Sequence, residues 1–123
     1  MSRILVVEDN EKNMYLIAFI LEKAGHHVLR AVTGEEGVDK AKRERPELIL
    51  MDIQLPGIDG FEATQQIRAS TTAGRIPIVA ITSFAMTGDR ERLLAAGCNG
   101  YIEKPIDPDT IMAQIAEFLR EPP

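Results

Sequence analysis

A chain of 123 residues with 45% hydrophobic and 27% charged side chains is one domain of ordinary globular composition. It is large enough to bury roughly two thirds of its unfolded surface, and it is not disordered, collagenous or low in complexity. The net charge of −5 argues against a nucleic-acid surface built on phosphate neutralisation, the single cysteine, Cys98, excludes an internal disulfide, and no stretch approaches the ~18 apolar residues of a membrane span or the core of a signal peptide, so a cytoplasmic protein without membrane insertion is expected.

The first apolar run is Ile4-Leu5-Val6-Val7, continuous rather than alternating, as in a strand covered on both faces of a parallel sheet. Residues 11–24 then place Met14, Ile17, Ala18 and Leu21 on one helical face, and Gly25 supplies the stop. Leu16, Phe19 and Ile20 add more apolar surface than that one buried stripe needs, which marks a candidate partner face. A weaker run, Val28 to Val32, reads as a strand near an edge, with His26 and His27 at its start in a bland surface role. Thr33 and Glu36 have the spacing of a capping box and open a helix to about Glu44, ahead of Pro46. The basic residues between Lys40 and Arg45 suit the carbonyl end of that helix.

Leu48-Ile49-Leu50-Met51 is the third strand, and Asp59 is placed to cap a helix over about 60–69. Ile78-Val79-Ala80-Ile81 is the fourth strand; Thr87 precedes a short helix from Asp89 to Ala96, closed by Gly97. Gly100-Tyr101-Ile102 is a fifth, very short strand. Asp107-Pro108 pairs a cap with proline at the first helical position and opens a last helix to about Arg120, leaving 121–123 as a tail. Strand and helix thus alternate five times. The expectation is a single α/β domain over residues 1–123, a doubly wound parallel sheet in the flavodoxin-like order 2-1-3-4-5.

The strand ends carry the chemistry. The first run is followed by Glu8-Asp9, the third by Asp52, the fourth by Thr82-Ser83 and the fifth by Glu103-Lys104-Pro105. Ligands of open α/β sheets bind beyond the carboxyl ends of the strands where the order reverses, here between the first and third. Glu8, Asp9 and Asp52 would meet there, with Thr82 and Lys104 on the far side. Strand-end acids commonly cap the next helix, and Asp9 or Asn10 suits that task; capping does not explain acids from two strands converging with a lysine and a threonine from two others. Three carboxylates against one ammonium need either a raised pKa or a divalent cation, and Mg²⁺ favours carboxylates, waters and phosphate oxygens. A carboxylate beside Mg²⁺ and a fixed lysine can accept a phosphoryl group. Asp52 is the best nucleophile because it ends the central strand and leads into a loop rather than a helix.

The segments Ile4-Leu5-Val6-Val7-Glu8-Asp9-Asn10, Leu50 to Gly60 (LMDIQLPGIDG), Ala80-Ile81-Thr82-Ser83 and Gly100 to Pro105 (GYIEKP) are similar, in order, to the motif blocks of CheY-like receiver domains of two-component response regulators. The resemblance covers essentially the whole chain. It implies that Asp52 is phosphorylated by a histidine kinase or a histidine phosphotransfer protein. It implies that Glu8, Asp9, Asp52 and the backbone carbonyl of Gln54 hold Mg²⁺, that Lys104 pairs with the phosphoryl group, and that Thr82 and Tyr101 switch together to reshape the surface around the fourth helix for a downstream protein target. It implies a cis Lys104–Pro105 bond, and a docking face for phosphotransfer helices at Leu16, Phe19 and Ile20. Glu8-Asp9-Asn10 with Asn13, Met51 to Pro56 and Ser83 to Met86 resemble the single-domain DivK type, so a stand-alone regulator is expected, with a receiver excised from a hybrid kinase or multidomain regulator as the alternative. No catalysis is expected beyond the chain's own phosphorylation and dephosphorylation. A phosphate-ester hydrolase on this kind of fold would carry a second acid two residues after its nucleophile, where this chain has Gln54. A flavin site would need a phosphate-cradling loop where Glu8-Asp9 would repel the phosphate.

Overall fold

The computed structural model describes residues 2–83 and 87–119, with the backbone alone at residues 87 and 88. Five strands, β1 (Arg3–Val7), β2 (His27–Ala31), β3 (Leu48–Asp52), β4 (Ile78–Thr82) and β5 (Gly100–Glu103), form one parallel sheet in the order β2-β1-β3-β4-β5. The five helices are α1 (Glu11–Lys23), α2 (Gly34–Glu44), α3 (Gly60–Arg68), α4 (Thr87–Ala96) and α5 (Pro108–Leu119). Both the alternation and the strand order are as the sequence predicts.

The continuous apolar runs became strands because both of their faces are covered. In β3 and β4 every residue is buried. Alternate residues feed two cores: Leu5, Val7, Ile49, Met51, Ile78 and Ala80 on one side, and Ile4, Val6, Leu48, Leu50, Val79 and Ile81 on the other. The first core also takes Val38, Ile67 and Leu93 from α2, α3 and α4; the second takes Ile17, Leu21, Ile111 and Ile115 from α1 and α5. β2, with a mixed burial pattern, is an edge strand, as its weaker run suggests.

Local chemistry sets the helix ends. Asn10, not Asp9, caps α1: its Oδ1 accepts the Asn13 N–H at 3.0 Å, which leaves Asp9 to the strand end. Gly25 follows with φ of +94°, a backbone region that side chains disfavour. Thr33 Oγ1 accepts the Glu36 N–H at 3.1 Å, and Glu36 reaches back to the N–H of Val32, one residue before the cap. Asp59 Oδ1 accepts the Glu62 N–H at 2.9 Å. Helix α4 begins at Thr87, two residues earlier than the expected start at Asp89. At the other end of the chain, the expected helix limit at Arg120 and the tail at 121–123 fall outside the described residues. The Lys104–Pro105 peptide is cis, and Cys98 is buried.

Candidate functional site at the strand ends

The parallel register brings the carboxyl ends of β1, β3, β4 and β5 to one edge of the sheet. Val7 pairs with Met51 and Asp52 with Ile81, so Glu8 and Asp52 emerge side by side from neighbouring strands. The Lys104 N–H donates to the Thr82 carbonyl at 2.7 Å, joining the ends of β4 and β5 and directing Lys104 towards the acids. The β3–α3 loop turns back over this edge. Gly60 N donates to Ile53 O, and a Cβ on Gly60 would lie 2.5 Å from the Asp52 carbonyl oxygen, so the helix start can approach only as glycine.

Glu8, Asp52 and Thr82 are the buried polar residues here, and Asp9 is exposed. Lys104 Nζ lies 3.3 Å from Glu8 Oε1 and 3.3 Å from Asp52 Oδ1. Asp52 Oδ1 also accepts the Gln54 N–H at 3.2 Å, and Glu8 Oε2 accepts the Asn10 N–H at 3.2 Å. Glu8, Asp9 and Asp52 each offer a carboxylate oxygen within 4.8 Å of the others.

One lysine does not offset this crowding. Burial, and next to it the Asp52 carboxylate, push the Glu8 carboxyl up from 4.5 to about 7, against the opposing pull of the Asn10 amide and Lys104. Glu8 Oε1 is buried with no hydrogen-bond partner; Lys104 stands at ion-pair distance from it but is poorly directed as a donor. A buried, under-satisfied carboxylate oxygen in a cluster of three acids suits a small divalent cation with an oxygen preference.

Four of the expected site residues, Glu8, Asp9, Asp52 and Lys104, therefore come together, and Thr82 lies at the adjoining strand end. Gln54 contributes its amide to Asp52 and lines, with Thr82, a cleft of about 320 Å³ between the β3–α3 loop and α4. Tyr101 sits opposite Ala80 in the β4–β5 register, half-buried, with the Arg90 guanidinium 5.2 Å from its ring centroid.

A model of the response regulator receiver domain matches residues 4–116. The chain belongs to the response regulator receiver domain family. The polar-differentiation response regulator DivK of Brucella anthropi is 42% identical over 116 residues, 94% of each chain, and that of Brucella ovis is 41% identical over the same share. Among solved structures, the chemotaxis response regulator CheY4 of Vibrio cholerae superposes with a TM-score of 0.92 at 27% identity, over 97% of this receiver and 99% of that chain. The receiver domain of the sensor histidine kinase PA1611 from Pseudomonas aeruginosa, solved with a magnesium ion coordinated in its active-site cleft, gives 0.89 at 39% identity over 96% and 97%. This chain is thus a response regulator receiver similar to DivK. Among its described residues no helix is long and apolar enough to cross a membrane.

The face expected to dock a partner is split in two. Leu16 lines a groove that runs to Lys104 and Pro105, and Phe19 and Ile20 line a second groove against Pro108 and Met112 of α5. The sequence reading passed over Tyr15. It is exposed and stacks on Phe19 with ring centroids 6.2 Å apart, while Lys23 lies over the other end of the stripe, 5.7 Å from the Phe19 centroid. The signal was the i, i+4, i+8 spacing of Tyr15, Phe19 and Lys23.

Proposed function

We propose that Asp52 is the phosphoacceptor, and that this receiver takes a phosphoryl group from a histidine kinase or a histidine phosphotransfer protein. The observation that carries the reading is the buried Asp52 carboxylate, held 3.3 Å from Lys104 Nζ in a cluster with Glu8 and Asp9. An Asp52 oxygen attacks phosphorus; the new O–P bond forms as the donor's N–P bond breaks, and the imidazole nitrogen leaves with the bond's electron pair. Lys104 offsets charge on the transferred oxygens, and the Gln54 amide fixes the acceptor carboxylate. Glu8, Asp9, Asp52 and the Gln54 carbonyl would hold Mg²⁺, which supplies charge neutralisation for the phosphoryl oxygens when bound. The only chemistry proposed is the chain's own phosphorylation and dephosphorylation.

A phosphoryl group adds about two negative charges. Thr82 and Tyr101 answer it by moving towards Asp52, which shifts α4 and changes the surface offered to a downstream protein target. The grooves at Leu16 and at Phe19–Ile20 receive the phosphodonor protein, since the first of them leads to Lys104. Residues 1–123 act as one receiver unit, similar over 116 residues to DivK.

The test compares two donors in Mg²⁺. A small phosphodonor labels wild type and Phe19→Glu at the same rate, because the acceptor site is intact. Transfer from a protein donor slows at least ten-fold in Phe19→Glu. Equal rates from the protein donor would remove the docking face; no label from either donor would remove the phosphoacceptor reading.

A further inference from the structure

Helix α4 is held to the rest of the molecule by few buried side chains, as is α5, which buries Ile111 and Ile115. Of the α4 residues 89–96, only Leu93 and Ala96 are buried, whereas α1 buries Met14, Ile17, Ala18 and Leu21. Two arginines extend from α4 to aromatic rings on its two neighbours. The Arg92 guanidinium lies 4.0 Å from the centroid of Phe61 in α3, and that of Arg90 lies 5.2 Å from the centroid of Tyr101 in β5. Both are within the range in which a cation is held by the face of a ring. Between the arms, Thr82 and Leu93 line the same cleft as Phe61 and Arg92. Helix α4 thus combines a narrow apolar anchor, a cleft at its flank and a cationic arm on each side.

We propose that Arg90 and Arg92 form a two-sided clamp on α4, in which Arg90 positions the Tyr101 ring and opposes its movement. The inference rests on the Thr82–Tyr101 switch put forward above and names the groups that set its resistance. Tyr101 is half-exposed beneath the exposed Arg90, so a shift of its ring towards Asp52 has to leave the guanidinium. Arg90 is a positioning residue: it acts through Tyr101 and touches no reacting atom. A stack between exposed groups shifts the equilibrium only a few-fold, which suits a device that tunes a switch rather than locks it.

The sequence contains two tyrosines and no tryptophan, so Tyr15→Phe leaves Tyr101 as the sole tyrosine reporter. In that background, ring NMR signals of Tyr101 are recorded first without any phosphoryl mimic. Arg90→Gln is expected to displace them, and Arg90→Lys, which keeps the charge but not the flat guanidinium, to displace them about half as far. Beryllofluoride with Mg²⁺ then serves as the phosphoryl mimic. Arg90→Gln is expected to bind it two- to five-fold more tightly than the background, and to have no further effect when Tyr101 is already Leu. An unmoved Tyr101 ring in Arg90→Gln, or an Arg90→Gln effect that persists undiminished in Tyr101→Leu, overturns the clamp. Loss of beryllofluoride binding by the wild-type chain itself would instead strike the phosphoacceptor reading, and the ring shift measured without the mimic would still decide the clamp.

Discussion

The floor of the site and the helix at its side are built on opposite terms. Strands β3 and β4 are buried at every position and sit in the middle of the sheet. Helix α4 has two buried anchors among residues 89–96 and two arginine–aromatic stacks at its surface. The difference teaches how one small domain does two jobs. Holding Glu8, Asp52 and Lys104 within ion-pair range demands a scaffold that does not relax to separate the acids. Passing on a change of charge demands an element that moves at a cost of a few kcal/mol or less.

The largest expected effect strikes the floor's charge balance. Lys104→Met leaves Glu8 and Asp52 facing each other without a cation. Phosphoryl uptake from a small donor should fall 10²–10³-fold, and Mg²⁺-free stability near neutral pH should drop by about 3 kcal/mol, both readable by mass spectrometry and urea unfolding.

The contrast in packing comes next. Leu50→Ala should cost about 2–5 kcal/mol in urea unfolding, because nothing collapses readily into a fully buried central strand. Leu94→Ala, on the exposed side of α4, should stay within about 0.5 kcal/mol. Comparable losses at the two sites would break the comparison.

The pH dependence sharpens it. The Glu8 carboxyl titrates at 4.5 when unperturbed and at about 7 in the folded chain, so between those values the folded state holds the extra proton. Stability from this group is complete below pH 4.5 and is lost as pH rises through about 7. The full swing is bounded by about 3 kcal/mol. Unfolding curves in Mg²⁺-free buffer should therefore weaken from pH 5 to 8, Glu8→Gln should flatten that slope, and added Mg²⁺ should stabilise more at pH 8 than at pH 5.

The smallest effect is on coupling. Thr82→Ala should keep phosphoryl uptake within about ten-fold of wild type, while the phosphorylation-dependent amide shifts of α4 and β5 shrink in NMR spectra. Unchanged shifts would disconnect Thr82 from the helix.

Much of this was readable beforehand because the decisive signals are local. Continuous apolar runs mark strands covered on both faces, Asn10, Thr33 and Asp59 cap the helices that follow them, and once the strand order is known, strand-end acids must converge. What escaped depends on neighbours far apart in the chain. Arg90 and Arg92 look like ordinary solvated residues of a charged segment until the fold brings Tyr101 and Phe61 beneath them. Arg68 likewise reads as a surface residue ending α3. Yet it donates to the Gly97 carbonyl at 2.9 Å, the Ile76 carbonyl at 2.6 Å and Asn99 Oδ1 at 2.7 Å, tying together the loops that enter β4 and β5. Burial lowers its guanidinium pKa, a sign of how far it is drawn into the structure. Helix α4 starts at Thr87, two residues before the expected Asp89.

The most direct test of the central claim is chemical. The chain is incubated with Mg²⁺ and a small phosphodonor, reduced with borohydride, digested and mapped by mass spectrometry. Hydride cleaves an acyl phosphate and leaves the side chain as an alcohol, so phosphorylation at Asp52 predicts homoserine at that position and none in Asp52→Asn. Reduction at Glu8 or Asp9 instead, or equal labelling of Asp52→Asn, would contradict it.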